Sequence, residues 1–260
     1  MKVVILCGGL GTRLKEETEV KPKPMVEIGG MPILWHIMKT YASHGFNNFI
    51  LCLGYKGEKI KEFFYHYEML SNDFTIELGT NNIEIHPRHA ESGWKVTLVD
   101  TGLNTMTGAR VKRIERFIEE DHFMLTYGDG VTDLNINDLL QFHLDHGKIG
   151  TVTGVSPPSR YGEIYIEGDK VLSFQEKPQK ADGSINGGYF VLSKRFFEYL
   201  KDREDCILER EPLEKLAKDG ELRVYDHTGF WQCMDTYRDL SFLEKLWSSG
   251  QAPWKVSDKN

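Results

Sequence analysis

The chain has 260 residues, 40% apolar and 27% charged, with 32 basic against 39 acidic side chains and a net charge of −7. These proportions exclude a disordered or fibrous chain, and the acid excess disfavours a nucleic-acid binder without forbidding a local basic site. Cys7, Cys52, Cys206 and Cys233 are scattered and form no CxxC pair, so no disulfide framework or zinc ribbon is expected and a reducing cytosol fits.

Val3–Leu6 reads as a short buried strand that stops at Gly8-Gly9. That apolar run leads into a glycine turn rather than a cleavage site, so it is not read as a signal peptide. Pro32 opens a helix that Gly45 closes. Phe49–Leu53 follows as a strand, Gly57–Leu70 as a helix, and Phe74–Leu78 and Val96–Val99 as strands. Between them lies polar Gly79–Gly93, either a functional or partner-binding loop or a plain surface hairpin. Arg110–Ile118 reads as a helix, and Phe123–Tyr127 as a strand ending at Gly128-Asp129-Gly130. Alternating strands and helices predict a parallel sheet covered by helices. Beyond Gly150 strands dominate: Gly150–Val155, Glu163–Ile166, Val171–Phe174, Gly188–Leu192 and Leu222–Tyr225, with helices at Lys194–Lys201, Pro212–Lys218 and Thr236–Trp247. No stretch approaches the roughly 20 apolar residues of a membrane span.

The strongest chemical signal is Gly8-Gly9-Leu10-Gly11-Thr12-Arg13, directly after the first strand. Glycines there let backbone N–H groups turn toward an anion, and Arg13 adds a forked donor, so a phosphate is the natural ligand. No Gly-Lys-Ser/Thr follows, which excludes a P-loop, and Leu14 replaces the third glycine of a dinucleotide fingerprint. Lys21-Pro22-Lys23-Pro24 holds two lysines on a stiffened backbone. Asp129 follows an apolar strand, and Asp235 precedes the last helix, where it could equally be that helix's N-cap. Asp100 and Asp133 are weaker carboxylate candidates. Arg110 reads either as a nucleotide contact or as a solvated helix charge. No Ser/His/Asp or Cys/His spacing suggests a covalent nucleophile.

GGLGTRL followed by KPKPMVEIGGMPIL resembles the signature of the sugar-phosphate nucleotidylyltransferases. LVDTG, MTGARVKR, TYGDGVTDL, FQEKP, INGGYFVL and GFWQCMDTYRD extend the likeness over essentially the whole chain, toward the cytidylyl branch of that family. The resemblance implies an α/β Rossmann-like fold: a mixed, mostly parallel sheet flanked by helices, with a small β-rich sugar-binding part. It implies one domain over residues 1–260, with 1–149 mainly nucleotide-binding and 150–260 mainly sugar-phosphate-binding. It implies transfer of CMP from CTP to α-D-glucose 1-phosphate, giving CDP-glucose and diphosphate, in the cytosol and in the service of deoxysugar and surface-polysaccharide synthesis.

By the same resemblance, Arg13, Lys23, Asp129, Lys177 and Asp235 are the catalytic set, with one Mg²⁺ on Asp129 and Asp235. Leu6, Gly8, Gly9, Leu10, Gly11, Thr12, Arg13, Lys23, Thr107, Arg110 and Gly128 meet the nucleotide. Glu176, Lys177, Asn186 and Gly188 meet the sugar phosphate. A homo-oligomer, a hexamer in this branch, is implied, with Trp247, Trp254 and the Gly79–Gly93 segment as candidate contacts. The alternatives are the same chemistry with UTP or another triphosphate, a non-catalytic regulatory subunit, and a sugar-nucleotide-binding module.

Overall fold

Val3–Cys7 (β1) is buried along its whole length. Val3 and Ile5 enter one apolar layer, and Val4 and Leu6 the other. A strand buried on both faces needs a continuous apolar run rather than an alternating one. The computed structural model describes residues 1–86, 91, 93–156, 163–175 and 184–256. Around β1 lie Asn48–Leu53 (β2), Lys95–Asp100 (β3), His122–Tyr127 (β4), Gly150–Val155 (β6), Ile185–Ser193 (β7) and Leu222–His227 (β8). Short strands Gly130–Thr132 (β5) and Trp231–Cys233 (β9) complete the numbering.

The main sheet has seven strands in the order β8-β6-β7-β4-β1-β2-β3. Its pairings are parallel except those of β7, which runs antiparallel to both β4 and β6. Running β7 backwards brings its first residues, Ile185–Gly188, to the edge where β1 and β4 end. That edge is where open α/β sheets place ligands. The sheet takes strands from both halves of the chain, in line with the mixed, mostly parallel α/β architecture expected.

Helix Ile33–Ser43 (α1) packs on one face, and Gly57–Tyr65 (α2) follows β2. Thr107–Arg113 (α3) lies on the other face, where Ala109 and Val111 join Leu6, Phe190 and Phe197. Ile136–His146 (α4) is a helix the sequence reading passed over. Its signals were present: Asn135 caps the N–H groups of Asn137 and Asp138, Ile136, Leu139 and His143 recur on the buried side, and Gly147 ends it in a left-handed conformation. Glu211–Lys218 (α5) and Tyr237–Ser248 (α6) follow.

Several expectations need correction. The expected helix at 110–118 is two pieces, α3 and a short 3₁₀ turn at Glu115–Phe117. The helix expected after Gly57 breaks at His66, with Tyr67–Ser71 forming a second one. The helix expected at 194–201 is a 3₁₀ segment, Lys194–Tyr199. Much of Gly79–Gly93 belongs to a hairpin, because Asp73–Glu77 pairs antiparallel with Asn82–His86. Trp254 is no surface contact: it is 3% exposed, stacked on Phe230 and Trp247 within its own chain. Trp247 is half-buried beside Gly29, where a Cβ would lie 1.8 Å from its indole nitrogen.

Candidate active site

A cleft of about 710 Å³ opens at the carboxyl edge of the sheet, within the usual size for a small-molecule site. Its lining draws on the Gly8–Arg13 turn, Lys23, the loop 103–107, Arg110, Tyr127–Gly130, Gly187–Tyr189 and Asp235. Of the expected nucleotide residues, Leu6, Gly8, Gly9, Leu10, Gly11, Thr12, Arg13, Lys23, Thr107, Arg110 and Gly128 all border it. Gly188 does too. Asn186 stands at the rim, donating to Tyr127 at 3.2 Å. Glu176 and Lys177 lie outside the described residues.

The glycine turn is shaped by one contact near in sequence, with Thr18, and one distant, with Arg110. Gly11 adopts φ +63, and Thr18 donates from its hydroxyl to the Gly11 carbonyl at 3.1 Å. A Cβ on Gly11 would meet the Thr18 methyl at 2.7 Å, so both conformation and space require glycine. Among the described residues, the N–H groups of Gly9, Leu10 and Gly11 donate to no protein acceptor. Free N–H groups on a cleft wall suit an anion.

Arg110 is not a solvated helix charge. It is 4% exposed. Its Nη1 donates to the carbonyls of Leu53 and Gly102 and to Thr101 Oγ1, at 2.9, 2.7 and 2.8 Å. Its Nη2 donates to the carbonyls of Gly8 and Leu103 at 3.1 and 3.2 Å. The guanidinium therefore clamps the ends of β1 and β2 to the loop before α3. A Cβ on Gly8 would lie 2.2 Å from Arg110 Cζ, which makes Gly8 a packing requirement.

Two aspartates distant in sequence meet because β5 pairs with β9, placing Gly130 opposite Cys233. Met234 N–H donates to the Asp129 carbonyl at 2.8 Å, locking the approach. Asp235 is not the cap of α6: Thr236 is, within a capping box completed by Asp239. The Asp235 carboxylate is thus left to the cleft. Of the two lysines beside the prolines, Lys21 turns outward to Glu17 and Glu27. Lys23 turns inward, and its Nζ lies 2.6 Å from Asp129 Oδ2 and 2.6 Å from Asp235 Oδ1. Arg13 reaches the other Asp235 oxygen at 2.9 Å.

Burial alone would lower the Lys23 ammonium, but the charges and hydrogen bonds of Asp129 and Asp235 outweigh it and raise it above its ordinary value. Burial would likewise raise the Asp235 carboxyl, yet Lys23, then Arg13, hold it below the carboxylate range. Two positive and two negative groups balance here. The shared ammonium marks a point that both carboxylates reach, so the pair fits a divalent cation. Among the described residues no cluster of three or more His, Cys, Asp or Glu forms a metal cage. Two carboxylates plus substrate phosphates are a usual Mg²⁺ environment, so a full protein cage is not required.

The other candidates have structural duties. Asp133 Oδ1 accepts from Phe230 N–H at 2.8 Å and pairs with His227 at 3.1 Å. Asp100 Oδ1 accepts from Gly102 N–H at 2.9 Å. Cys233 lines the cleft, but burial, then Asp235 and Asp129, push its thiol up to about 12, so it is no nucleophile near neutral pH. Sequence reasoning missed Thr18, Trp231, whose Nε1 donates to the Gly187 carbonyl at 2.7 Å, and Glu209, which bonds Tyr127 and Thr107. Thr18 acts within its own turn, and Trp231 and Glu209 act across the fold, where no local spacing marks them.

Residues 2–244 match the family described as nucleotidyl transferase. The chain belongs to the nucleotidyl transferase family. It is 53% identical over 257 residues to the curated glucose-1-phosphate cytidylyltransferase of Salmonella typhi, with 98% of this chain and 99% of that one covered. It is 47% identical over 256 residues to a Bacillus subtilis protein named "Probable glucose-1-phosphate cytidylyltransferase", covering 98% and 100%. Among solved structures, HddC from Yersinia pseudotuberculosis is similar with a TM-score of 0.70 and 26% identity, covering 95% of this chain and 99% of that one. No helix of the described residues is long and apolar enough to cross a membrane.

Proposed function

We propose that this nucleotidyl transferase moves CMP from CTP to α-D-glucose 1-phosphate, giving CDP-glucose and diphosphate. The observation that carries the reading is the meeting of the open glycine turn, Lys23, Asp129 and Asp235 in one cleft, in a chain 53% identical to a glucose-1-phosphate cytidylyltransferase.

The free N–H groups of Gly9, Leu10 and Gly11 hold triphosphate oxygens. Arg13, 70% exposed on its side chain, is free to swing from Asp235 to the phosphates. Lys23 donates to phosphate once it leaves the carboxylates. Asp129 and Asp235 would hold Mg²⁺, which supplies Lewis-acid charge neutralisation when bound. A sugar phosphate oxygen attacks the α-phosphorus in line as diphosphate departs. Catalysis is positioning and charge stabilisation, with no protein nucleophile, and the inert Cys233 thiol agrees. On the sugar side we assign Glu176, Lys177, Asn186 and Gly188, with Lys177 neutralising the monophosphate. The backbone around Leu6–Gly9 and the loop Thr105–Arg110 would select the base.

The enzyme is proposed as a homo-oligomer, a hexamer in this branch, working in the cytoplasm. Ile83 and Ile85 of the 79–93 segment remain candidate contacts, and Phe74 and Ile76, exposed on the same face of the 73–86 hairpin, join them. Diphosphate release measured across CTP, UTP, TTP and GTP with several sugar phosphates tests the reading. CTP should exceed UTP by at least about tenfold in kcat/KM, a difference of only ~1.4 kcal/mol. A best substrate of TTP or GTP would refute the base assignment, and no turnover with any pair would refute the enzyme.

A further inference from the structure

Glu209 lies outside the cleft lining, in the segment just before α5, yet its carboxylate is tied to two cleft walls. Oε2 accepts from the Thr107 hydroxyl at 2.7 Å, and Oε1 accepts from the Tyr127 phenol at 2.6 Å. Both hydroxyl-bearing residues line the cleft. Thr107 begins α3 on the nucleotide side, and its Oγ1 also accepts from Leu208 N–H at 2.9 Å. Tyr127 ends β4, two residues before Asp129. The Tyr127 oxygen accepts from Asn186 Nδ2 at 3.2 Å, and Asn186 Oδ1 accepts from Gly188 N–H at 2.8 Å. A continuous chain of hydrogen bonds therefore runs from the base-side loop, through Glu209, to the strand that opens the sugar side.

We infer that Glu209 is a positioning residue that sets the spacing between the nucleotide wall and the sugar-phosphate wall. The inference rests on the two-substrate reading above and deepens it. A carboxylate suits this place because it has two acceptor oxygens, and each wall offers a hydroxyl donor. The Tyr127 phenol serves as that donor on one side and the Thr107 hydroxyl on the other. The Tyr127 ring lies against Gly188, where a Cβ would sit 2.4 Å from the ring, so a displaced phenol would disturb the Gly188 backbone directly. Residues bound to one wall would affect one substrate. Among the described residues, Glu209 is the side chain that hydrogen-bonds both Thr107 and Tyr127.

The test compares Glu209→Ala, Glu209→Gln, Tyr127→Phe and Thr107→Val, using the triphosphate and sugar phosphate that the wild-type protein itself turns over best. A wrong base assignment then leaves the comparison intact, whereas absence of any wild-type turnover would sink the functional reading instead. Glu209→Ala should raise KM for both substrates by about three- to tenfold, the scale of one lost hydrogen bond on each side. Tyr127→Phe should raise KM chiefly for the sugar phosphate, and Thr107→Val chiefly for the triphosphate. Glu209→Gln, with one acceptor oxygen left, should fall between wild type and Ala. The double variant Glu209→Ala/Tyr127→Phe should be no worse toward sugar phosphate than Glu209→Ala alone. A Glu209→Ala enzyme with both KM values unchanged, or with a lowered melting temperature as its sole defect, would overturn the inference.

Discussion

Replacing Arg110 with Met removes the donors for five acceptors while keeping an apolar stem of similar length. Two of the five retain partners: the Leu53 carbonyl still accepts from the Thr101 N–H and hydroxyl, at 3.0 and 2.7 Å, and Thr101 keeps that same hydroxyl bond. The carbonyls of Gly102 and Leu103 lie where water can reach them, since Gly102 is half-buried and Leu103 exposed. The Gly8 carbonyl is the one left buried and unpaired. An orphaned buried acceptor costs about 1–3 kcal/mol, and each charge-assisted bond exchanged for water adds about 1 kcal/mol, for a total of about 3–5 kcal/mol. At about 2–4 °C per kcal/mol for a chain of this size, the melting temperature should fall by about 10 °C. KM for the triphosphate should rise with it, because the clamp joins Gly8 to the loop at 102–103. Arg110→Lys, with three donors and no planar fork, should recover part of both losses. A solvated helix charge would cost no more than about 0.5 kcal/mol. Calorimetric unfolding within about 2 °C of wild type, together with an unchanged KM, would refute the clamp.

Asp129→Asn and Asp235→Asn should each remove most turnover while leaving the fold intact, with EDTA mimicking both; near-normal rates in the two variants would remove them from the metal site. Lys23→Met should lose turnover and yet bind Mn²⁺ more tightly than wild type without nucleotide, by titration calorimetry, because the variant no longer holds its own cation between the carboxylates. Equal or weaker Mn²⁺ binding would show that Lys23 does not compete for that point. Stability should also fall in mild acid. Burial holds His36 down to about 4, and burial with neighbouring His122 and His146 holds His143 down to about 4. Both stay neutral when folded, whereas unfolded histidine takes up its proton near pH 6.5. Each therefore withdraws about 1.4 kcal/mol per pH unit as pH drops from 6.5 toward 4. Denaturant midpoints that do not move between pH 7.5 and 5 would contradict this.

Local signals on the chain determined a good deal. A β-branched run before two glycines specified β1 and the phosphate turn, because a buried strand and a tight turn each leave a short-range imprint. Asp129 was legible for the same reason, standing beside two glycines at a strand end. The pairing of Asp129 with Asp235 left no local signal and was implied only by the family resemblance. It depends on the three-residue β5–β9 ladder, whose strands are about a hundred residues apart and too short to show periodicity. Capping logic also pointed the wrong way at Asp235, since Thr236 one position later is an equally good cap and takes the role, releasing the carboxylate. Arg110 stayed open between a nucleotide contact and a solvated helix charge because sequence carries no record of burial; only the loops closing around it turn a guanidinium into a clamp. Local spacing alone did not separate Lys21 from Lys23, which only the resemblance singled out, and in the fold the packing of Pro24 and Met25 turns Lys23 to the aspartates. Residues whose work is done against sequence neighbours could be read from the chain, and those that act between elements had to wait for the fold.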